Sequence, residues 1–283
     1  MKIMIITLYS GENEYDSCKE SVRIQECSYE VHHVCIENKP KLEAHNLLYS
    51  MIMEKERDFD YFVKLDADMV FTSSASLQEI IESAVKNKVD RFSIPVHDYM
   101  TDKMIWGLNV YKAGMQWELS TNAIFTDQQK VLVDYRVKNK VLTKETSLVS
   151  HASKPTNLQA YLFGVHRASK ITQDRTFIPC ISNSYAQYKV LADVSSVYIK
   201  TKSIVHGYAL IGAYAMLKRS LSRSDMEDKS FFKSDYDNVN YDKEIDVAIE
   251  FFTKMNIIIL VSTIGYSRSA LGAFSYLIRK IKL

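Results

Sequence analysis

Cysteine is scarce in this chain and carries no pattern. Cys18, Cys27, Cys35 and Cys180 are the four, with no C-x-x-C pair among them and no secretory leader ahead of them, so they read as reduced, structural thiols. Charge of one sign is lacking too. Thirty-six Lys and Arg against 34 Asp and Glu leave a formal +2, which gives no whole-chain field for nucleic acid and confines any basic patch to a local one. Long apolar runs are absent as well. The opening Met1-Lys2-Ile3-Met4-Ile5-Ile6 is too short for a signal peptide and suits a buried strand, so the expected location is the cytoplasm. No internal repeat or low-complexity tract is visible. What is present is ordinary: 47% hydrophobic and 25% charged residues over 283 positions suit a soluble globular protein of one large or two small domains.

The first third alternates strands and helices. Strands are expected over Lys2–Leu8, Tyr29–Ile36, Phe59–Leu65 and Asp90–Val96, and helices over Glu12–Glu26, Lys41–Lys55 and Leu77–Lys88. Such alternation indicates βαβ units and a largely parallel sheet. Ligands then gather at the carboxyl ends of the strands, where Thr7-Leu8-Tyr9-Ser10, Ile36-Glu37-Asn38-Lys39 and Asp66-Ala67-Asp68 all fall. From Tyr99 the pattern changes to short strands over Lys103–Tyr111 and Leu119–Phe125, a helix over Thr156–Ile171, a strand over Val194–Ile204 ending at His206-Gly207, and a helix over Ala209–Arg219. The polar stretch Ser220–Tyr241 reads as a long loop, followed by a helix over Glu244–Met255 and the tail Asn256–Leu283.

Asp66-Ala67-Asp68 is the most informative feature. Side chains two apart on extended backbone share a side, so both carboxylates can aim at one point beyond the strand end. A hard divalent cation, Mg2+, Mn2+ or Ca2+, suits that point, and with it a metal-bound diphosphate. The competing reading is a pair of aspartates that cap a turn and meet water. Lys64 either approaches a phosphate or pairs with Asp60, and the pair is favoured. Trp106, Tyr111 and Trp117 form an aromatic patch suited to the apolar faces of sugar rings. Gln159, within a His151-to-Ala160 segment rich in groups that bind anions or hydroxyls, is followed by His166 and Arg167; a clamp on acceptor or diphosphate and a polar surface stripe are both open.

Together these residues resemble the GT-A glycosyltransferases, in particular the family 2-like enzymes of bacterial surface-polysaccharide assembly. The match covers Lys2 to Phe71 in strand order and motif placement, and Glu43-Ala44-His45-Asn46 resembles the Ala-x-Asn helix ahead of the family's metal motif. The resemblance implies an α/β, GT-A (Rossmann-like) fold: a mixed, largely parallel sheet flanked by helices, with a helical C-terminal extension. It implies a catalytic domain over 1–219, divided into a nucleotide-sugar half 1–98 and an acceptor half 99–219, then a linker and extension over 220–283. Donor contacts would come from Thr7, Tyr9, Glu12, Glu37, Asn46, Asp66 and Arg167. Glu37 either accepts from the base N–H or is a solvated loop residue. Asp66 and Asp68 would hold Mn2+ or Mg2+ with His206 as a third ligand, and Trp106, Tyr111, Trp117, Gln159 and His166 would face the acceptor. The family's glutamate–aspartate base has no counterpart, which leaves Asp127, Asp102, His151 and Asp174 as candidates, Asp127 first because it ends the Ala123-Ile124-Phe125 strand.

The expected function is thus metal-dependent transfer of a sugar from a nucleotide diphosphate, a UDP-sugar foremost, to a saccharide or lipid-linked acceptor. A sugar nucleotidyltransferase is the nearest rival, though Ser10-Gly11-Glu12-Asn13 lacks the glycine density of a triphosphate cradle. A saccharide-binding protein without catalysis is the other. Nucleic acid is not an expected partner; a second copy of the chain is left open. The tail sets Ile257 to Val261 and the helically spaced Tyr266, Leu271, Phe274, Tyr276, Leu277 and Ile278 beside Arg268, Arg279, Lys280 and Lys282. That suits an interfacial helix at the inner face of the membrane, or packing against the protein itself or a second subunit.

Overall fold

The computed structural model describes residues 1–121, 126, 129–139, 147–173, 178–218 and 229–281. Two compact units divide the chain, Met1–Pro155 and Thr156–Leu283. The division falls at the entry to a helix and not at the polar stretch near 220 that composition suggested.

The first unit contains β1 (Lys2–Tyr9), α1 (Tyr15–Arg23), β2 (Glu30–Glu37), α2 (Lys41–Glu54), β3 (Tyr61–Asp66), β4 (Met69–Phe71), α3 (Ser76–Asn87), β5 (Arg91–Asp98), β6 (Lys103–Lys112), β7 (Val137–Asn139) and β8 (Val149–His151). They form one mixed sheet in the order β2-β1-β3-β6-β5-β8-β4, with β7 beside β5. β1 runs parallel to β2 and β3, β6 is antiparallel to β3 and β5, and β8 is parallel to β5 and antiparallel to β4. This is the mixed α/β class that the alternation predicts. The continuous apolar runs of β1 and β3 have a physical cause: both faces of the sheet are covered. Ile3 and Ile5 of β1, with Val63 and Leu65 of β3, pack against Cys18 and Val22 of α1 and Leu77, Ile80 and Ile81 of α3. The alternate residues Met4, Ile6 and Phe62 pack on the other face against Leu48, Tyr49 and Ile52 of α2. Each fully buried aliphatic side chain contributes roughly 1.5–3 kcal/mol.

The second unit is helical: α4 (Asn157–Thr172), α5 (Ile181–Thr201), α6 (Ile204–Lys218), α7 (Lys229–Asp237), α8 (Tyr241–Lys254), α9 (Ile257–Ile264) and α10 (Tyr266–Ile281). α4 opens on a capping box, in which Gln159 N–H donates to Thr156 Oγ1 at 3.1 Å and Thr156 N–H to Gln159 Oε1 at 3.0 Å. α4 and α6 approach until their backbones touch: a Cβ at Gly164 would overlap the Ala209 carbonyl, and one at Gly212 the Tyr161 carbonyl. Asn256 opens α9 by accepting from Ile258 N–H at 2.9 Å and Ile259 N–H at 3.1 Å. Gly265, at φ 98°, separates α9 from α10.

Three sequence-based expectations are corrected. The strand over Val194–Ile204 is the end of α5 and the start of α6; its dense β-branched residues look strand-like, but the buried Leu191, Val194, Ser195 and Tyr198 recur at helical spacing. Leu119–Thr121 is not a strand, and the rest of that expected strand lies outside the described residues. The expected loop over Ser220–Tyr241 contains α7, and Tyr241 itself begins α8.

Candidate active site

The carboxyl ends of β5 and β8 are side by side, with Asp98 in register with His151. Asp98 is fully buried and fully bonded. Its Oδ2 accepts from Thr101 N–H at 2.9 Å and from Thr101 Oγ1–H at 2.6 Å, and its Oδ1 lies 2.7 Å from His151 Nδ1. On the far side of the ring, His151 Nε2 is 3.4 Å from Asp68 Oδ2. Burial alone would push the imidazole toward the neutral form, but Asp68 and Asp98 on either side overcome it and raise its pKa to about 10. Burial likewise opposes the charge on Asp68, yet the His151 imidazolium, and Lys64 beyond it, hold its carboxyl below the ordinary value.

Asp68 sits in the two-residue turn between β3 and β4, not on extended backbone. Ala67 N–H donates to Leu8 O at 3.1 Å and Ala152 N–H to Asp68 O at 2.8 Å, which ties the turn to β1 and to the residue after β8. Asp68 Oδ1 is buried and has no hydrogen-bond partner. Ala152 takes φ 50°, a left-handed conformation that costs a residue with a Cβ about 1–2 kcal/mol and that clusters at functional sites.

The two aspartates are claimed by different cations. Lys64 Nζ donates to Asp66 Oδ1 at 2.6 Å and Oδ2 at 2.8 Å, so Asp66 is neutralised within its own strand. The expected Lys64–Asp60 pair does not form. Four residues of strand span ~13 Å and two only ~7 Å, so of the two aspartates on its side Lys64 reaches Asp66; Asp60 accepts instead from Lys2 N–H at 2.7 Å.

A second group lies at the ends of β1 and β2. Tyr9 is in register with Glu37 and stacks on Tyr15, with ring centroids 3.9 Å apart. The Tyr15 hydroxyl donates to Glu37 Oε1 at 2.5 Å. Burial, then the acceptors Cys35 and Glu37, push that phenol far above its ordinary pKa and keep it a donor. Thr7 Oγ1 is 2.9 Å from His33 Nε2, and burial lowers the His33 pKa. Glu12 folds back on Ser10, accepting from its N–H at 2.5 Å and its hydroxyl at 2.6 Å. Buried Glu14 accepts from Lys154 N–H at 2.8 Å, and Asn13 Nδ2 donates to Lys154 O at 2.8 Å, so the loop after β1 grips the loop after β8.

Other expected residues have different work. Asn46 exchanges bonds with the Ser120 backbone at 3.0 Å in both directions and accepts from Gln129 Nε2 at 2.9 Å; it fastens a loop. The aromatic patch does not form: Tyr111 and Trp117 are buried against Tyr49 in the core, while Trp106 is 53% exposed. Asp102 lies on the exposed β5–β6 turn at φ 51°, 3.4 Å from His97 Nε2. In the second unit, Gln159 closes the capping box, Arg167 donates to Gln187 Oε1 at 3.1 Å and covers Phe163, and His166 is half-buried on α4. His206 is buried in the first turn of α6, and Gly207 makes room for the ring of Tyr241. Asp127 and Asp174 lie outside the described residues.

Asp98 and Tyr15 were missed from sequence. The expected strand stopped at Val96, two residues short, which hid a carboxylate at a strand end. Tyr15 was absorbed into a helix expected from Glu12 but begins the observed one.

Among the described residues, no group of three or more His, Cys, Asp or Glu is arranged to hold a metal ion. Asp68 and His151 nevertheless fit one in part. They place a carboxylate and an imidazole 3.4 Å apart, with the second ring nitrogen fixed by a buried carboxylate as in metal-binding histidines, beside an unpartnered carboxylate oxygen.

No family model matches the chain, and no curated protein matches it. Among solved structures, a mannosyltransferase from Pyrobaculum calidifontis, PcManGT in complex with GDP-Man and Mn2+, is 12% identical with a TM-score of 0.35, covering 86% of this chain and 88% of that one. TarS 1-349 of S. aureus is 11% identical with a TM-score of 0.33, covering 91% and 93%. A197 from STIV is 13% identical with a TM-score of 0.28; the match covers 40% of this chain and 65% of that one. TM-scores this low leave the site to be read from its own geometry.

Proposed function

We propose that the chain is a metal-dependent glycosyltransferase of the GT-A type, moving a sugar from a nucleotide diphosphate, a UDP-sugar foremost, to a saccharide or lipid-linked acceptor in surface-polysaccharide synthesis. The observation that carries this reading is the Asp68–His151–Asp98 group at the carboxyl ends of the sheet, where α/β proteins bind ligands. Asp68 and His151 are the proposed holders of Mn2+ or Mg2+, His151 giving up its Nε2 proton to bind as the neutral imidazole, with Asp98 orienting the ring. His151 thus takes the histidine role first given to His206, and Asp66 enters the ion's shell only by releasing Lys64. When bound, such an ion neutralises and orients a diphosphate leaving group. The stacked Tyr9 and Tyr15 with Glu37 are the proposed contacts to the nucleoside: an aromatic face beside a carboxylate suits a base bearing N–H. Asp127 keeps the proposed role of base toward the acceptor hydroxyl, because His151 is committed to the ion.

The test is a panel of nucleotide sugars with purified protein, with Mn2+ or EDTA, reading release of nucleoside diphosphate. Release is expected with Mn2+, falling by about 10–100-fold in His151→Ala and further in Asp68→Asn. Full activity of Asp68→Asn, or turnover unaffected by EDTA, would sink the metal-dependent reading. If the panel gives neither release nor a rise in melting temperature, the transferase reading goes with it.

A further inference from the structure

α10 packs with the wrong side for a core helix. It meets the rest of its unit through small residues: Ser269 and Gly272 are buried, and a Cβ at Gly272 would overlap Pro179 O and the Ile181 side chain. Arg268 fastens it there, donating to Thr172 O and Gln173 O at 2.9 Å each. The bulky side chains point outward. Tyr266, Phe274 and Leu277 are 67%, 64% and 58% exposed, and Ile257 and Ile258 on α9 are 64% and 68% exposed. Core packing is thereby excluded for this face, and an apolar surface of this kind marks an interaction site.

Charge identifies the occupant. From Phe251 to Leu283 there is no Asp or Glu, but there are five cations: Lys254, Arg268, Arg279, Lys280 and Lys282. Lys254 pairs with Glu250 and Arg268 donates to carbonyls, and the sequence adds three more cations in its last five residues. A twofold contact between two copies of α9 and α10 would bury segments that hold only positive charge and offer no carboxylate to one another. Among the described residues no single helix is long and apolar enough to cross a membrane; α8 and α9 pass that test only as a pair bent by 109°. A helix with bulky apolar residues outward and basic residues beside them suits the boundary of a lipid layer. We propose that the outer face of α9 and α10 docks on an anionic lipid surface, with the aromatic and aliphatic residues among the acyl chains and Arg279, Lys280 and Lys282 at the headgroups. This surface is independent of the transferase reading, since protein without turnover is expected to bind lipid equally.

The experiment is co-sedimentation of the full chain with vesicles of mixed phosphatidylglycerol and phosphatidylcholine, or of phosphatidylcholine alone. Pelleting is expected with the anionic vesicles and at least about tenfold less with the neutral ones. Phe274→Glu with Leu277→Glu, both at exposed positions, should cut binding at least about tenfold with the melting temperature unchanged. Replacing Arg279, Lys280 and Lys282 by Gln should cost about fivefold per charge. Failure to pellet with anionic vesicles, or equal pelleting with both kinds, overturns the proposal. So does a dimer seen by light scattering that the Phe274→Glu, Leu277→Glu protein loses, which would make the face a protein interface.

Discussion

Asp98 distinguishes a polar network built for stability from one built around a ligand. It is buried, all its hydrogen-bonding capacity toward Thr101 and His151 is used, and it faces no solvent. Asp98→Ala should therefore destabilise by about 3–5 kcal/mol in urea unfolding, because it leaves a buried imidazolium without its anchor. Asp68→Asn should cost less, about 1–2 kcal/mol: it removes a charge beside the His151 imidazolium, but at a longer 3.4 Å contact, and Asp68 Oδ1 makes no bond to lose. If both cost the same, the group is purely structural. Ala152 offers a change of opposite sign: at φ 50° a glycine relieves backbone strain, and Ala152→Gly should gain about 1 kcal/mol, a rise in melting temperature of roughly 2–4 °C. A fall would mean that packing of the buried methyl outweighs the strain. At this scale the sequence made residue types visible but not partners. Asp66 and Asp68 read as a matched pair because an extended strand was assumed through both; a turn begins at Ala67, so the carboxylates go to Lys64 and His151. His151 and Asp68 were each legible as candidates, whereas the pairing of His151 with Asp98 of β5 was not, because 53 residues separate the two.

At the scale of elements, the α4–α6 crossing depends on two glycines in backbone contact. Gly212→Ala forces a Cβ into the Tyr161 carbonyl and should destabilise by about 1–3 kcal/mol. Gly114→Ala meets nothing within 4 Å and bears only the strain of φ 89°, so about 1 kcal/mol is expected there. Equal losses in denaturant titrations would show that the helices part to admit the methyl group. Period-2 and period-3.6 patterning placed the βαβ third of the chain because its strands are short, apolar and punctuated by polar turns. The same patterning failed at α5, where Val194, Val197, Tyr198 and Ile199 carry strand propensity on a helix whose buried face decides the outcome.

For the whole molecule, pH is the readable variable: His151 lowers stability as pH rises from about 6.5 to about 10, and Cys18 adds to the fall above about 9. Burial raises its thiol from 9.0 to about 12. Below about 9 folded and unfolded chains both carry the proton and this group adds no pH dependence. Between about 9 and about 12 only the unfolded chain releases it, so stability falls as pH rises. Urea midpoints at about pH 8 and about pH 10.5 should separate more in the wild type than in Cys18→Ala; the same separation in both would show that the folded thiol ionises normally. The boundary between units was not legible at this scale. Composition shifts near Ser220, whereas the compact units divide at Thr156, where a capping box and not a linker starts the helical unit.

The order of the sheet has a consequence for synthesis. Among the described residues β4 pairs only with β8, which is completed 82 residues after β4 begins (151 − 69), at the pair Met69↔His151. During translation β1, β2 and β3 can assemble while β4 and the Asp68 turn have no neighbour on that side, and loop closure across such a separation is slow. The polypeptide is therefore committed to its α/β layer well before the candidate site exists. Pulse-labelling of amides during refolding should find Ile5 and Val63 protected ahead of Val149 and His151.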